Sequence, residues 1–143
     1  MLDEPVASLD PLARREFLQI LMETVADNEV SVLLSSHLVA DIERVCDYLV
    51  VLVSSRVQVA GEVEDLLATH HRLIGPRDAT PPESQVIIES SYAERQCPLF
   101  VRSDGPIIDP RWTVEAVNLE DLVLAYMGQG RAEREVVVDE ELA

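Results

Sequence analysis

Apolar residues recur along the chain with two different periods. Phe17, Leu18, Leu21, Met22 and Val25 follow one another at helical spacing. Asp10-Pro11 precedes them and supplies an acceptor for the first free amides and a residue suited to the first helical position, so a helix is predicted over 11–27. Residues 30–35, Val-Ser-Val-Leu-Leu-Ser, are short, β-branched and apolar, the pattern of a strand covered on both faces of a parallel sheet. Leu38, Ile42, Val45 and Cys46 line a second helix, which gives way at Asp47 to an apolar strand over 48–53. Alternating elements of this kind predict an α/β fold with a parallel sheet. Val57 and Val59 then alternate with polar residues behind a tight Ser54-Ser55-Arg56 connection, a hairpin signal, and 62–69 reads as a short helix.

From Gly75 to Ser84 the periodicity breaks, with Pro76, Pro81, Pro82, Asp78 and Glu83 giving the composition of a linker. Beyond it, 85–91 and 99–103 can form two strands, Asp104-Gly105-Pro106 a turn, and Trp112 the anchor of a small core. Asn118 caps a last helix with Leu119, Leu122, Val123, Tyr126 and Met127 on one stripe, acids in its first turn and Gly128 as its stop. The remainder, with Asp139-Glu140-Glu141, reads as a frayed acidic tail. The pattern therefore divides the chain into residues 1–71, a small α+β extension over 72–128, and a tail over 129–143. The adjacent His70-His71 cannot face one way on a helix and reads as a solvated helix end.

Composition narrows the function classes. At 143 residues and 48% hydrophobic the chain can build one core plus an appendage. A net charge of −16 repels a phosphate backbone, so nucleic acid is not an expected partner. The 11 basic residues are all arginine; without lysine, no G-x-x-x-x-G-K-[ST] loop can act on phosphates from within these residues. Cys46 and Cys97 are too few for a disulfide framework, show no metal-ligand spacing, and are expected to be free. No stretch approaches the ~20 apolar residues of a membrane span, and Met1-Leu2-Asp3-Glu4-Pro5 does not read as a signal peptide; direct membrane insertion is not expected.

Leu2-Asp3-Glu4-Pro5 places two adjacent carboxylates at the C-terminal end of a presumed strand. Phosphoryl transfer needs such a division of labour, one group holding Mg²⁺ and the other orienting water. Taken alone, an Asp-Glu-Pro turn is more often a solvated surface feature. The ordered set Leu2-Asp3-Glu4-Pro5, Ser8-Leu9-Asp10 and, after a helix and a strand, Ser35-Ser36-His37 carries more information. Here the chain resembles the ATP-binding cassette (ABC) ATPases over residues 1–71, and Asn118 to Met127 look like the closing helix of exporter-type subunits.

The resemblance implies the C-terminal part of a P-loop NTPase-type parallel sheet. It implies a Walker B strand with Asp3 coordinating Mg²⁺ and Glu4 as general base or water-orienting carboxylate. Asp10 would lie in the D-loop and signal across an ATPase dimer, while helix capping is its independent physical role, and the two are compatible. His37 would be the switch histidine that contacts the γ-phosphate of ATP, with Ser36 beside it. The lysine loop, the glutamine loop and the Ser-Gly-Gly signature are not among these residues, and Ser54-Ser55 stand where a hairpin glycine is usual. The implied partners are a second ATPase subunit and a transmembrane permease, at the cytoplasmic face of a membrane, with transport in the export direction. The chain by itself is expected to be catalytically silent and to self-associate through uncovered sheet. The competing reading is a non-enzymatic regulatory or oligomerisation module, with 72–128 as its working part.

Overall fold

A computed structural model describes residues 1–76, 78–81, 85–90 and 96–142. It separates into two compact units, Met1–Cys46 and Asp47–Ala143. Compactness thus divides the chain at 46 and 47, whereas the sequence pattern predicts a boundary after 71.

The first unit is built on α1 (Pro11–Asn28), whose start is set by Asp10: its carboxylate accepts from the amides of Leu12 and Ala13. The helix ends at Glu29 in the left-handed region, φ 50°. Of the predicted stripe on this helix only Leu18 is buried. Strands β1 (Leu2–Asp3) and β2 (Leu34–Ser35) pair in parallel, and α2 (Val39–Ile42) follows. Arg14 Nε lies 3.4 Å from Asp41 Oδ2, an ion pair without hydrogen-bond geometry, while the Arg14 guanidinium donates to Leu9 O at 3.3 Å.

The expected parallel sheet is therefore reduced to one two-residue ladder. Within these residues the only backbone that runs beside Leu34 and Ser35 is that of Leu2 and Asp3. A strand exists only where a neighbour completes its hydrogen bonds, so 30–33, apolar as they are, do not join the ladder.

In the second unit, β3 (Tyr48–Val53) pairs antiparallel with β4 (Arg56–Glu62), correcting the expectation of a parallel strand covered on both faces. Leu49 and Val51 are buried while Val50 and Leu52 are exposed, the period-2 pattern of a one-sided strand. Ser54 (φ 50°) and Ser55 (φ 64°) both adopt the left-handed conformation that a tight two-residue hairpin needs. Non-glycine residues hold it at a cost of about 1–2 kcal/mol each.

After α3 (Val63–Thr69) comes a four-stranded antiparallel sheet in the order β6-β7-β5-β8, formed by β5 (His70–Pro76), β6 (Val86–Ser90), β7 (Gln96–Arg102) and β8 (Thr113–Ala116). Two of its strands had no place in the sequence reading. The pattern predicts a helix end at His70-His71 and a linker from Gly75, and assigns no element to 72–74 or to Thr113–Ala116. Of the other predicted linker residues, 78–81 are described, whereas 77 and 82–84 lie outside the described residues, as does residue 91 of the predicted 85–91 strand.

Leu73 in β5 registers with Leu99 in β7 and Val114 in β8. Leu73, Leu99, Val101 and Trp112 form a buried cluster against which Ala79 and Ile107 pack. Trp112 is the expected anchor, and its ring rests on the sheet backbone itself: a Cβ on Gly75 would come within 2.5 Å of it. The last helix, α4 (Leu119–Leu142), does not stop at Gly128 and replaces the expected frayed tail. Leu119, Leu122, Ala125 and Tyr126 are its buried positions. Among the described residues no helix is long and apolar enough to cross a membrane.

Candidate functional site

The parallel register Leu2↔Leu34 and Asp3↔Ser35 brings two strand ends together from positions 32 residues apart in sequence. Registered residues on neighbouring strands project to the same face, so the Ser35 hydroxyl reaches Asp3 and donates to Oδ1 at 2.5 Å. The chain then leaves β1 through Glu4 at φ 44°, a strained conformation for a non-glycine residue. That turn is held on its amide, which is shared between Ser35 O at 3.1 Å and Ser35 Oγ at 3.0 Å. It continues in close turns, Ala7 N–H to Glu4 O and Leu9 N–H to Val6 O, over the buried Val6.

Two residues past Ser35, His37 Nδ1 lies 2.9 Å from Glu4 Oε2. A carboxylate only accepts, so Nδ1 carries the hydrogen in this contact. The side chains of His37 and Glu4 are 68% and 38% exposed, so the pair is open to a ligand and its attraction is screened by water.

Asp3, Glu4 and His37 are thus gathered at one strand end, and the fourth member of the cluster is Ser35, whose position in register with Asp3 was the unused signal. Asp10 and Ser36 are engaged locally. The Asp10 carboxylate caps α1, and Ser36 Oγ accepts from Leu38 N–H at 3.0 Å.

Among these groups Asp3 is the one that could hold a cation. No set of three or more His, Cys, Asp or Glu among the described residues could hold an ion. Mg²⁺, however, is commonly held by one or two carboxylates together with water and substrate phosphates, and Asp3 meets that requirement. Its Oδ1 takes the Ser35 hydroxyl, and no hydrogen bond among the described residues occupies Oδ2. A cradle for the phosphates is a different matter: no lysine is present to serve it.

The second unit places its polar groups differently. His70, read from sequence as solvated, is 1% exposed. Its Nδ1–H donates to Leu66 O at 2.7 Å and its Nε2 accepts from the Tyr126 hydroxyl at 2.8 Å. Burial pulls the His70 pKa down, with Arg102 and His71 adding to the effect, and the Leu66 carbonyl opposes them; burial likewise raises that of Tyr126. Arg72 donates to Asp121 Oδ1 at 2.9 Å, beside an open depression of about 480 Å³ lined also by Glu89, Leu99, Phe100 and Leu124. At the surface, hydrogen bonds from Arg111 hold Asp109 down to about 2. No sequence signal marked His70, because its burial depends on a tyrosine 56 residues away.

Comparison with known proteins adds an independent line. No family model matches the chain. The ABC transporter ATP-binding protein YtrB of Bacillus subtilis is 28% identical over 92% of this chain, which corresponds to 49% of the relative. The thiamine import ATP-binding protein ThiQ of Vibrio parahaemolyticus is 30% identical over 49% of this chain and 30% of the relative. ATP-binding cassette sub-family A member 10 of Homo sapiens is 35% identical over 46% of this chain and 4% of the relative. The chain spans about half the length of YtrB and less of the others.

Proposed function

We propose, from the kinship of this chain with the C-terminal part of ABC transporter ATP-binding proteins, that it supplies the metal-facing and water-orienting side of an ATP-hydrolysing site. The observation that supports this most directly is the contact of Glu4 with His37 at 2.9 Å, across 33 residues of sequence, next to the tethered Asp3.

In this reading Asp3 offers Oδ2 to Mg²⁺, directly or through water, and the metal neutralises charge on the phosphates when bound. Glu4 aligns the attacking water and takes its proton, and His37 holds the Glu4 carboxylate in place while contacting the γ-phosphate. Asp10 and Ser36 serve nucleotide contact and signalling across a dimer, alongside their local hydrogen bonds. Residues 1–71 form the nucleotide-domain portion, 72–128 an accessory domain, and 129–143 an acidic extension. The partners are a second ATPase subunit and a transmembrane permease at the cytoplasmic side of a membrane. The export direction rests on the closing helix segment alone, and one relative is by its name an import ATP-binding protein.

Because the phosphate loop and its lysine are outside these residues, the chain alone is silent and does not bind Mg-ATP at micromolar affinity. It self-associates through exposed apolar side chains such as Leu33 and Leu52. The decisive experiment joins the chain in frame to a nucleotide-binding half that carries the lysine loop. Glu4→Gln in that protein is expected to abolish steady-state hydrolysis while leaving Mg-ATP binding within about twofold, since shape and the metal ligand are kept. Normal turnover in Glu4→Gln would remove Glu4 from the mechanism and the reading with it.

A further inference from the structure

The hydroxyl of Ser35 occupies a position that the motif set leaves without a task. It is one donor with two acceptor lone pairs, and two of these three capacities are committed to the two carboxylate-bearing residues. It donates to Asp3 Oδ1 at 2.5 Å and accepts from the Glu4 amide at 3.0 Å. Its neighbour cannot substitute, since the Ser36 hydroxyl is turned to Leu38 N–H. The backbone carbonyl of Ser35 also accepts from the Glu4 amide, so the ladder would survive loss of the hydroxyl, and the tether to Asp3 would not.

We propose that Ser35 is the positioning residue of this site, one hydroxyl that assigns the two adjacent carboxylates their separate tasks. By taking Oδ1 it leaves Asp3 a single oxygen, Oδ2, for a metal and fixes the carboxylate plane. By holding the amide of Glu4 it keeps that residue at φ 44°, the conformation from which the Glu4 carboxylate reaches His37 rather than lying alongside Asp3. Two like charges on consecutive residues would otherwise be free to converge on one cation. The inference rests on the assignment of Asp3, Glu4 and His37 made above, and deepens it.

The geometry makes a demand on residue type. Threonine keeps the hydroxyl and suits a strand, valine has nearly the shape of threonine without it, and alanine removes the group altogether.

The test uses the chain itself, with ¹⁵N-labelled histidine and long-range ¹H–¹⁵N correlation of the imidazole rings at one fixed pH. The chain has three histidines, and His70, buried in the second unit, provides a reference resonance outside the unit that is altered. Glu4→Gln is expected to displace the His37 Nδ1 resonance, since it weakens the ring's hydrogen bond. Ser35→Ala and Ser35→Val should displace it at least half as far, Ser35→Thr should leave it near its original position, and His70 should not move in any of them. In the fused ATPase, Ser35→Ala should lower kcat by about 10- to 100-fold with KM for ATP changed less than twofold, the effect of misplacing groups rather than losing a binding contact. If Glu4→Gln moves His37 while Ser35→Val and Ser35→Thr give the same spectrum, the positioning role is overturned and the pair stands. If Glu4→Gln leaves His37 unmoved, the pair does not form and both inferences fall together. Should Ser35→Ala disturb His70, the threonine and valine variants, alike in shape, still isolate the hydroxyl.

Discussion

The two units of this protein divide the motif residues and the larger core between them. In residues 1–46 the buried apolar side chains are Val6 and Leu18, while Leu12, Ile20, Val30 and Leu33 stay exposed. The Asp3-Glu4, Asp10 and Ser35-Ser36-His37 motif residues all sit there, around a two-residue ladder, a turn held by side-chain hydrogen bonds and the start of α1. Residues 47–143 carry none of the motif set, yet they hold the larger core, with Leu73, Val101, Leu119 and Leu122 essentially inaccessible to water. The lesson concerns what each kind of order requires. A polar cluster at a strand end needs a few contacts in the right register; a folded domain needs apolar area removed from water, and the two need not coincide.

The largest expected effect separates the units by their tolerance of truncation. Leu73→Ala should cost about 2–5 kcal/mol, because Leu73 is fully buried in a cluster with Leu99, Val101 and Trp112 that cannot collapse around the gap. Leu33→Ala, at a residue 62% exposed, should stay within about 0.5 kcal/mol. Urea unfolding of both variants measures the difference, and equal losses would mean that the first unit has a core of its own.

A sharper test asks whether the polar contacts of the second unit are structural. Tyr126→Phe removes the donor to His70 Nε2 and leaves a buried acceptor unpaired, at a cost of about 1–3 kcal/mol. The same pair sets a pH dependence. Native His70 titrates below the ordinary value of 6.5, so in acid the unfolded chain binds the extra proton. Its contribution is complete above 6.5 and is lost as the pH falls from there through the lowered native value. On acidification the parent chain should lose stability faster than His70→Gln, measured as the difference in urea midpoint between neutral and mildly acidic buffer. Parallel curves would show that His70 is not held neutral.

The smallest effect concerns two glycines of α4. A Cβ at Gly128 would meet only Glu89 Oε1 at 3.9 Å, so Gly128→Ala should stabilise the helix by up to about 1 kcal/mol. At Gly130 it would lie 2.9 Å from Gln58 Cδ and 3.0 Å from Val53 Cβ, where α4 crosses the β3–β4 hairpin. Gly130→Ala should lose that gain to overpacking and come out destabilising by about 1 kcal/mol. Thermal melts of the two variants should therefore move in opposite directions.

Much of this protein could be read from local sequence. Asp10-Pro11 set the start of α1, the alternation around Ser54-Ser55 gave the hairpin, and Trp112 was recognisable as an anchor. The gathering of Asp3, Glu4 and His37 at a strand end was legible in the order of the motifs. What the sequence did not determine were the features that depend on a distant neighbour. Residues 30–33 and 48–53 have the same apolar character, but 30–33 do not enter a ladder and 48–53 pair antiparallel, because strand identity lies in the completed ladder. Gly128 looked like a helix stop, and packing overrode a propensity worth about 1 kcal/mol. His70 looked solvated until a tyrosine from α4 closed over it, and Ser35 became meaningful only through its register with Asp3. Periodicity and caps are encoded within a few residues, whereas hydrogen-bond satisfaction and burial are settled between segments and were therefore decided only by the tertiary structure.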